Sequence, residues 1–301
     1  FADWGWRLPF LLSAILLAVS LWIRLQLQES PVFREMKEAG TTSKAPLTEA
    51  FAKWRNLKWV LVALLGAVAG QAVVWYTGQF YALFFLEKTL KVDGATANIL
   101  IAIALAIGTP FFVLFGWLSD RIGRKKIILT GCTLAALTYF PAFHALTNAA
   151  NPALAEAQAR APVTVYAHPA SCSLQFDPVG KQAFDRTGCD VAKSTLAKAG
   201  VPYANEDYGD GSATVGGIQI AAGDLATYGV RLSAAATAAG YPAKAHPARI
   251  DKPRVVAILV WLVLLVTMVY GPIAALLVEL FPSRIRYTSM SLPYHIGNGW
   301  F

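Results

Sequence analysis

Apolar residues in this chain gather into long unbroken runs rather than alternating with polar ones, and the run lengths set the first expectation. A helix rises ~1.5 Å per residue, so ~20 mostly apolar residues cross a hydrocarbon core of ~30 Å. Residues 6–24, 59–86, 95–118 and 253–281 meet that requirement, and a shorter run covers 127–146. Another run starts near residue 287. The chain begins at Phe1 without Met and stops within "SLPYHIGNGWF", so both ends are expected to be cut from a longer polypeptide. No small-residue cleavage site follows the first run, and Arg24 opens a charged loop, so the run reads as a spanning helix rather than a signal peptide.

Loop charges orient these spans, because Lys and Arg in short connections stay cytoplasmic. Residues 24–58 carry Arg24, Arg34, Lys37, Lys44, Lys53, Arg55 and Lys58; residues 119–126 carry Arg121, Arg124, Lys125 and Lys126; residues 282–287 carry Arg284 and Arg286. Placing these three inside puts 87–94 and 147–252 outside, and the spans alternate without conflict. The expected setting is a bacterial inner membrane crossed several times, with residues 148–252 in the periplasm.

That outer stretch has no spanning run and is rich in Gly, Pro, Asp and Ala, as expected of a separate module. The predicted organisation is a membrane part over 1–147, an inserted domain over 148–252, and a return to the membrane over 253–301. Within the module "PVTVYA" predicts a strand, while "CDVAKSTLAKAGVP" and "YGVRLSAAATAAGYP" predict helices stopped at Gly200 and Gly240. Cys172 and Cys189 are expected to form a disulfide, since an extracytoplasmic compartment oxidises thiols. Cys132 lies in an apolar span and reads as packing.

Composition agrees with a membrane protein: 56% of residues are hydrophobic, the mean hydropathy is +0.47, and ordinary soluble domains hold only ~45–50% apolar residues. The net charge of +8 belongs to the cytoplasmic loops and lipid headgroups, not to a nucleic-acid surface. No phosphate-cradling Gly-x-x-x-x-Gly-Lys-Ser/Thr loop is present, and His144, His168, His246 and His295 lack metal-ligand spacing. No cofactor, metal or enzymatic activity is expected.

Between two spans lies "FGWLSDRIGRKKII", where Asp120 can pair with Arg124 one helical turn away or sit at the N-terminus of a neighbouring helix. The stretch resembles the loop motif of the major facilitator superfamily. Gly116, Leu118, Asp120, Arg121, Gly123, Arg124 and Lys125 match that motif, and Ser119 replaces its usual Ala. "DWGWRLPFLLSAILLAVSLWIRLQLQESPVF" and "ELFPSRIRYTSMSLPYHIGNGWF" resemble the sixth helix and the junction of the tenth and eleventh helices in the metabolite:proton symporter family. That family carries proline and betaine, or citrate, oxoglutarate and shikimate. The resemblance implies an all-α polytopic fold, a fragment from helix six to the start of helix eleven, interrupted by a small α/β extracytoplasmic insert that departs from the family pattern. It also implies a missing N-terminal six-helix bundle of the same chain. Asp120, Arg121 and Arg124 would then latch a cytoplasmic gate with Glu279, Arg284, Arg286 and Glu29; the plainer alternative for the last four is interfacial charge that snorkels to water.

The span "GAVAGQAVVWYTGQFYALFFL" is the richest in polar residues. Gln71, Trp75 and Gln79 recur every four positions, each rotated only ~40° from the last, so a regular helix places them on one face with Gly78 beside it. They either line a solute path, with amides for hydrogen bonds and Trp75 as an apolar or cation-π wall, or hold helices together near Gly66 and Gly70. Tyr76 is expected to pack, and His295 to make a structural hydrogen bond. No acid lies mid-span, so a proton-coupling carboxylate is expected in the absent half. The function expected is proton-coupled symport of a small carboxylate or zwitterionic osmolyte, with the substrate, protons and lipid bilayer as partners. The alternative is a membrane-embedded solute sensor that uses the outer module.

Overall fold

The computed structural model describes residues 4–26, 30–175 and 182–300. Five helices are long and apolar enough to span: α1 (Leu8–Gln26), α4 (Trp54–Thr89), α5 (Gly94–Ile122), α6 (Arg124–Ala150) and α10 (Lys252–Leu280). Between α1 and α4 lie two short helices, α2 (Pro31–Glu38) and α3 (Pro46–Phe51), each opened by a proline whose missing N–H costs a first turn nothing. A final helix, α11, runs Arg286–Trp300.

The run expected over 127–146 is a full 27-residue helix. Its polar residues bond to their own backbone: Thr147 Oγ1 donates to Phe143 O at 3.0 Å and Asn148 Nδ2 to His144 O at 3.0 Å. Helix α4 is longer than its apolar run and contains π-helical stretches at Val62–Val68, Thr77–Tyr81 and Phe85–Thr89. Each wider turn shifts the angular phase of the residues beyond it.

Helix α10 is the hub. Leu259, Leu262, Leu265, Val266 and Val269 are fully buried on it. Three other helices approach it at glycines. A Cβ on Gly78 of α4 would meet Val266 and the Leu262 carbonyl, one on Gly108 of α5 would meet Val263, and one on Gly131 of α6 would meet Val269 and Met268. Without a hydrophobic driving force between helices in lipid, such close backbone approach supplies the packing. By contrast, no residue of α1 is buried.

Between α6 and α10 the chain forms an α/β unit. Helix α7 (Pro152–Arg160) leads into strand β1 (Val163–Ala167), helix α8 (Gly188–Ala199), strands β2 (Ala204–Glu206), β3 (Asp210–Val215) and β4 (Ile218–Ile220), and helix α9 (Leu225–Ala238). The sheet order is β2-β1-β3-β4. Strands β1 and β2 are parallel, with α8 as their crossover, and the other pairs are antiparallel. The strand and both helices expected from sequence are present. Gly200 closes α8 in the left-handed conformation, at φ 69°.

The unit sits on the turn joining α4 to α5. Lys91 Nζ donates to Lys198 O at 2.8 Å, Ala245 N–H to Lys91 O at 3.0 Å, and Asn151 Nδ2 to Leu90 O at 2.9 Å. Burial, and secondarily nearby Lys88, lowers the Lys91 pKa. Asp120, expected in a loop, lies in the last turn of α5, and the turn at Gly123 between α5 and α6 is at the opposite end of α5 from the α/β unit.

Candidate functional site

Between α4, α10 and α11 a recess of about 400 Å³ opens, lined in part by Trp75, Tyr76, Tyr270, Tyr294, His295 and Asn298. Tyr270 stands where α10 is interrupted before Gly271 and Pro272, which turns its ring towards Trp75 with centroids 4.1 Å apart. Its hydroxyl lies 3.0 Å from that of Tyr294. Tyr76 donates to Asn298 O at 3.0 Å, and Asn298 Nδ2 donates to Tyr294 O at 2.8 Å. The recess therefore combines aromatic faces, two coupled hydroxyls and one imidazole. Such a wall can hold a polar solute by hydrogen bonds and a cationic group by its ring faces.

Of the three residues in the α4 stripe, only Trp75 lines this recess. Gln71 is fully buried, and neither its Oε1 nor its Nε2 has a hydrogen-bond partner. Gln79 is half-buried inside the π-helical stretch Thr77–Tyr81. Gly78 faces α10 rather than the recess. Tyr76, expected only to pack, bonds to α11 instead. His295 lies edge-on to Tyr294 at 5.6 Å.

The second cluster lies at the opposite end of the bundle from the α/β unit. Gly123, at φ 102°, turns the chain sharply between α5 and α6, and Arg124 becomes the first residue of α6. A cation at a helix N-terminus is unfavourable by itself. Two carboxylates offset that: Arg124 reaches Asp120 at 2.9 Å and Glu279, on α10, at 2.5 Å. Arg121 lies over the Trp117 ring at 4.0 Å. Arg284 pairs with Glu49 of α3, and Arg286 donates to Phe281 O at 3.1 Å. Glu29 lies outside the described residues. Glu49 was missed in the sequence, although an acid whose helix sits in a strongly basic loop was the available signal.

In the α/β unit Cys172 and Cys189 are joined in a disulfide, and Cys132 is free. Among the described residues no group of His, Cys, Asp or Glu could hold a metal ion.

A bundle of long apolar helices with an aromatic-walled recess between them and an ion-paired end defines a polytopic membrane protein. Residues 1–158 match the Major Facilitator Superfamily, and the chain belongs to that family. It is 34% identical over 152 residues to the alpha-ketoglutarate permease of Escherichia coli, covering 50% of this chain and 33% of the relative. It is 30% identical over 151 residues to the shikimate transporter of the same organism, covering 48% of this chain and 33% of the relative. A Staphylococcus haemolyticus protein provisionally named as a proline/betaine transporter is 32% identical over 149 residues, covering 50% and 31%. The chain thus spans about a third of the length of these curated relatives. They are transport proteins, not enzymes. No solved structure matches the chain.

Proposed function

We propose that this chain runs from helix six to the start of helix eleven of a secondary active transporter and supplies the substrate-contacting part of its second bundle. In this reading it symports a small organic metabolite, a carboxylate or a zwitterionic osmolyte, with protons across the bacterial inner membrane. The α/β unit stands in the periplasm, and a first six-helix bundle completes the carrier. The recess carries the proposal. Tyr270 lies inside the span Lys252–Leu280, at the break before Gly271 and Pro272 and away from both of its ends, so the recess opens within the bundle. A site near the midplane, closed alternately at its two ends, is the arrangement that alternating access requires.

Within this reading Trp75, Tyr270 and Tyr294 bind the solute and His295 can face a carboxylate. The Asp120, Arg124 and Glu279 cluster latches the cytoplasmic end, with Arg121, Arg284 and Glu49 beside it. Uptake of labelled carboxylates and betaines by proteoliposomes carrying the full-length polypeptide, with and without a proton gradient, tests this. Accumulation that depends on the gradient is expected. Binding without accumulation would overturn transport and leave a sensor.

A further inference from the structure

We propose that Cys172–Cys189 is an exchangeable disulfide, open to reduction by an external dithiol with the α/β unit still folded, rather than a fixed staple. This does not rest on the transport reading, because the family match ends at residue 158, before β1.

The two cysteines flank the connection from the C-terminal end of β1 to the first turn of α8, the crossover of the parallel β1–β2 pair. Groups at that edge of a parallel unit face outward from the strand ends, where α/β sheets present their sites. The pair is asymmetric. Cys189 is 1% exposed, whereas Cys172 is partly open on the loop. The less buried Cys172 is thus the side from which an incoming thiolate would attack, with Cys189 as the leaving group.

Its position suits that role. Cys189 is the second residue of a 12-residue helix whose N-cap Thr187 accepts the Asp190 N–H through Oγ1, at 3.1 Å. The helix N-terminus favours the departing thiolate, set against its burial beside Asp190. A second tie keeps the site together when the S–S bond opens. Fully buried Asp190 accepts the Ser173 N–H at 2.7 Å and the Ser173 hydroxyl at 2.9 Å. Ser173 follows Cys172 and Asp190 follows Cys189, so this pair runs alongside the disulfide and holds both thiols within reach of reoxidation.

In the exchange, one thiolate of the dithiol attacks the Cys172 Sγ. The S–S bond breaks, and Cys189 departs with the electron pair and takes a proton. The dithiol's second thiolate then attacks its own sulfur in the mixed disulfide and releases Cys172, which takes another proton. Two electrons and two protons pass from the dithiol to the cystine, and the dithiol leaves as a disulfide.

The test uses the full chain in detergent, with dithiothreitol as the dithiol and oxidised glutathione as the capture probe. Dithiothreitol should reduce the pair reversibly without denaturant while the α/β unit keeps its protease resistance. Cys189→Ser should capture glutathione on Cys172 at least ~tenfold faster than Cys172→Ser captures it on Cys189. Reduction that needs denaturant, loss of protease resistance on reduction, or equal capture rates would each overturn the proposal. Should either variant fail to fold, the wild-type reduction decides alone.

Discussion

Replacing Gln71 with Leu should stabilise this protein. Gln71 is fully buried in α4 and neither amide atom has a partner. Leaving a buried amide unsatisfied costs ~1–3 kcal/mol, whereas a hydrogen bond between membrane helices contributes only ~0.6 kcal/mol on average. Were Gln71 glue between helices, Leu would lower stability by about that smaller amount. With no partner to lose, the change instead removes the desolvation penalty and fills a similar volume, for a gain of about 1 kcal/mol or more. Thermal unfolding in detergent, together with substrate affinity on the same samples, gives both signs at once. A destabilised variant would mean that the amide is satisfied in the folded protein, and a loss of substrate affinity would place Gln71 on the solute path.

The same geometry gives other expected outcomes. Trp75→Ala and Tyr270→Phe should each weaken substrate binding, by ~1–3 kcal/mol for the Tyr270 hydroxyl if it bonds solute, while protein abundance stays unchanged; intact affinity in both would remove the recess as the site. Asp120→Asn and Glu279→Gln should each alter the balance between inward and outward states by ~0.2–1 kcal/mol, the range for partly exposed pairs, seen as changed uptake with normal insertion. Because both carboxylates share Arg124, the double variant should be non-additive; wild-type uptake would refute the latch. Tyr228 is buried and donates to Gly211 O at 2.9 Å, and burial pushes its pKa up to about 12. Its contribution is complete below the usual pKa of ~10 and is lost as pH rises towards 12, so hydrogen exchange in the α/β unit should accelerate over that window, and Tyr228→Phe should flatten the dependence.

The spanning helices were legible because run length alone specifies them: a bilayer demands apolar residues on every face, so no tertiary information is needed. Their packing was less so. The stripe of Gln71, Trp75 and Gln79 assumes 3.6 residues per turn; Gln71 and Trp75 share the α-helical stretch Ala69–Tyr76, but Gln79 falls inside the π-helical stretch Thr77–Tyr81, where the wider turn breaks that assumption. Three of the four strands escaped notice: β2 and β4 have three residues each and are mostly exposed, and β3 is buried along most of its length, so none gives an alternation to read. One signal was available: Gly216 and Gly217, both at positive φ, join β3 to β4, and a Gly-Gly pair between β-prone runs marks a two-residue hairpin. Glu49 could not be paired with Arg284 from sequence, since only the folded bundle brings α3 against the segment after α10.

How the α/β unit is mounted constrains what it can do. It enters from α6 and leaves into α10, whose cap Asp251 donates its N–H to Ala149 O at 2.9 Å, locking the two helix ends together. Its third anchor, through Lys91 and Leu90, is the turn between α4 and α5. The helices α4, α5 and α6 all meet α10 directly, each packed closely against it at a glycine. The unit is therefore mounted on one closely packed group of helices. In a carrier that works by rocking one bundle against another, it would move with this bundle, and a molecule bound to it would ride along. Such a molecule could bias the transport cycle only by differing in its contacts with the two states, which makes contact with the opposite bundle, rather than distortion of this one, the physical route for coupling.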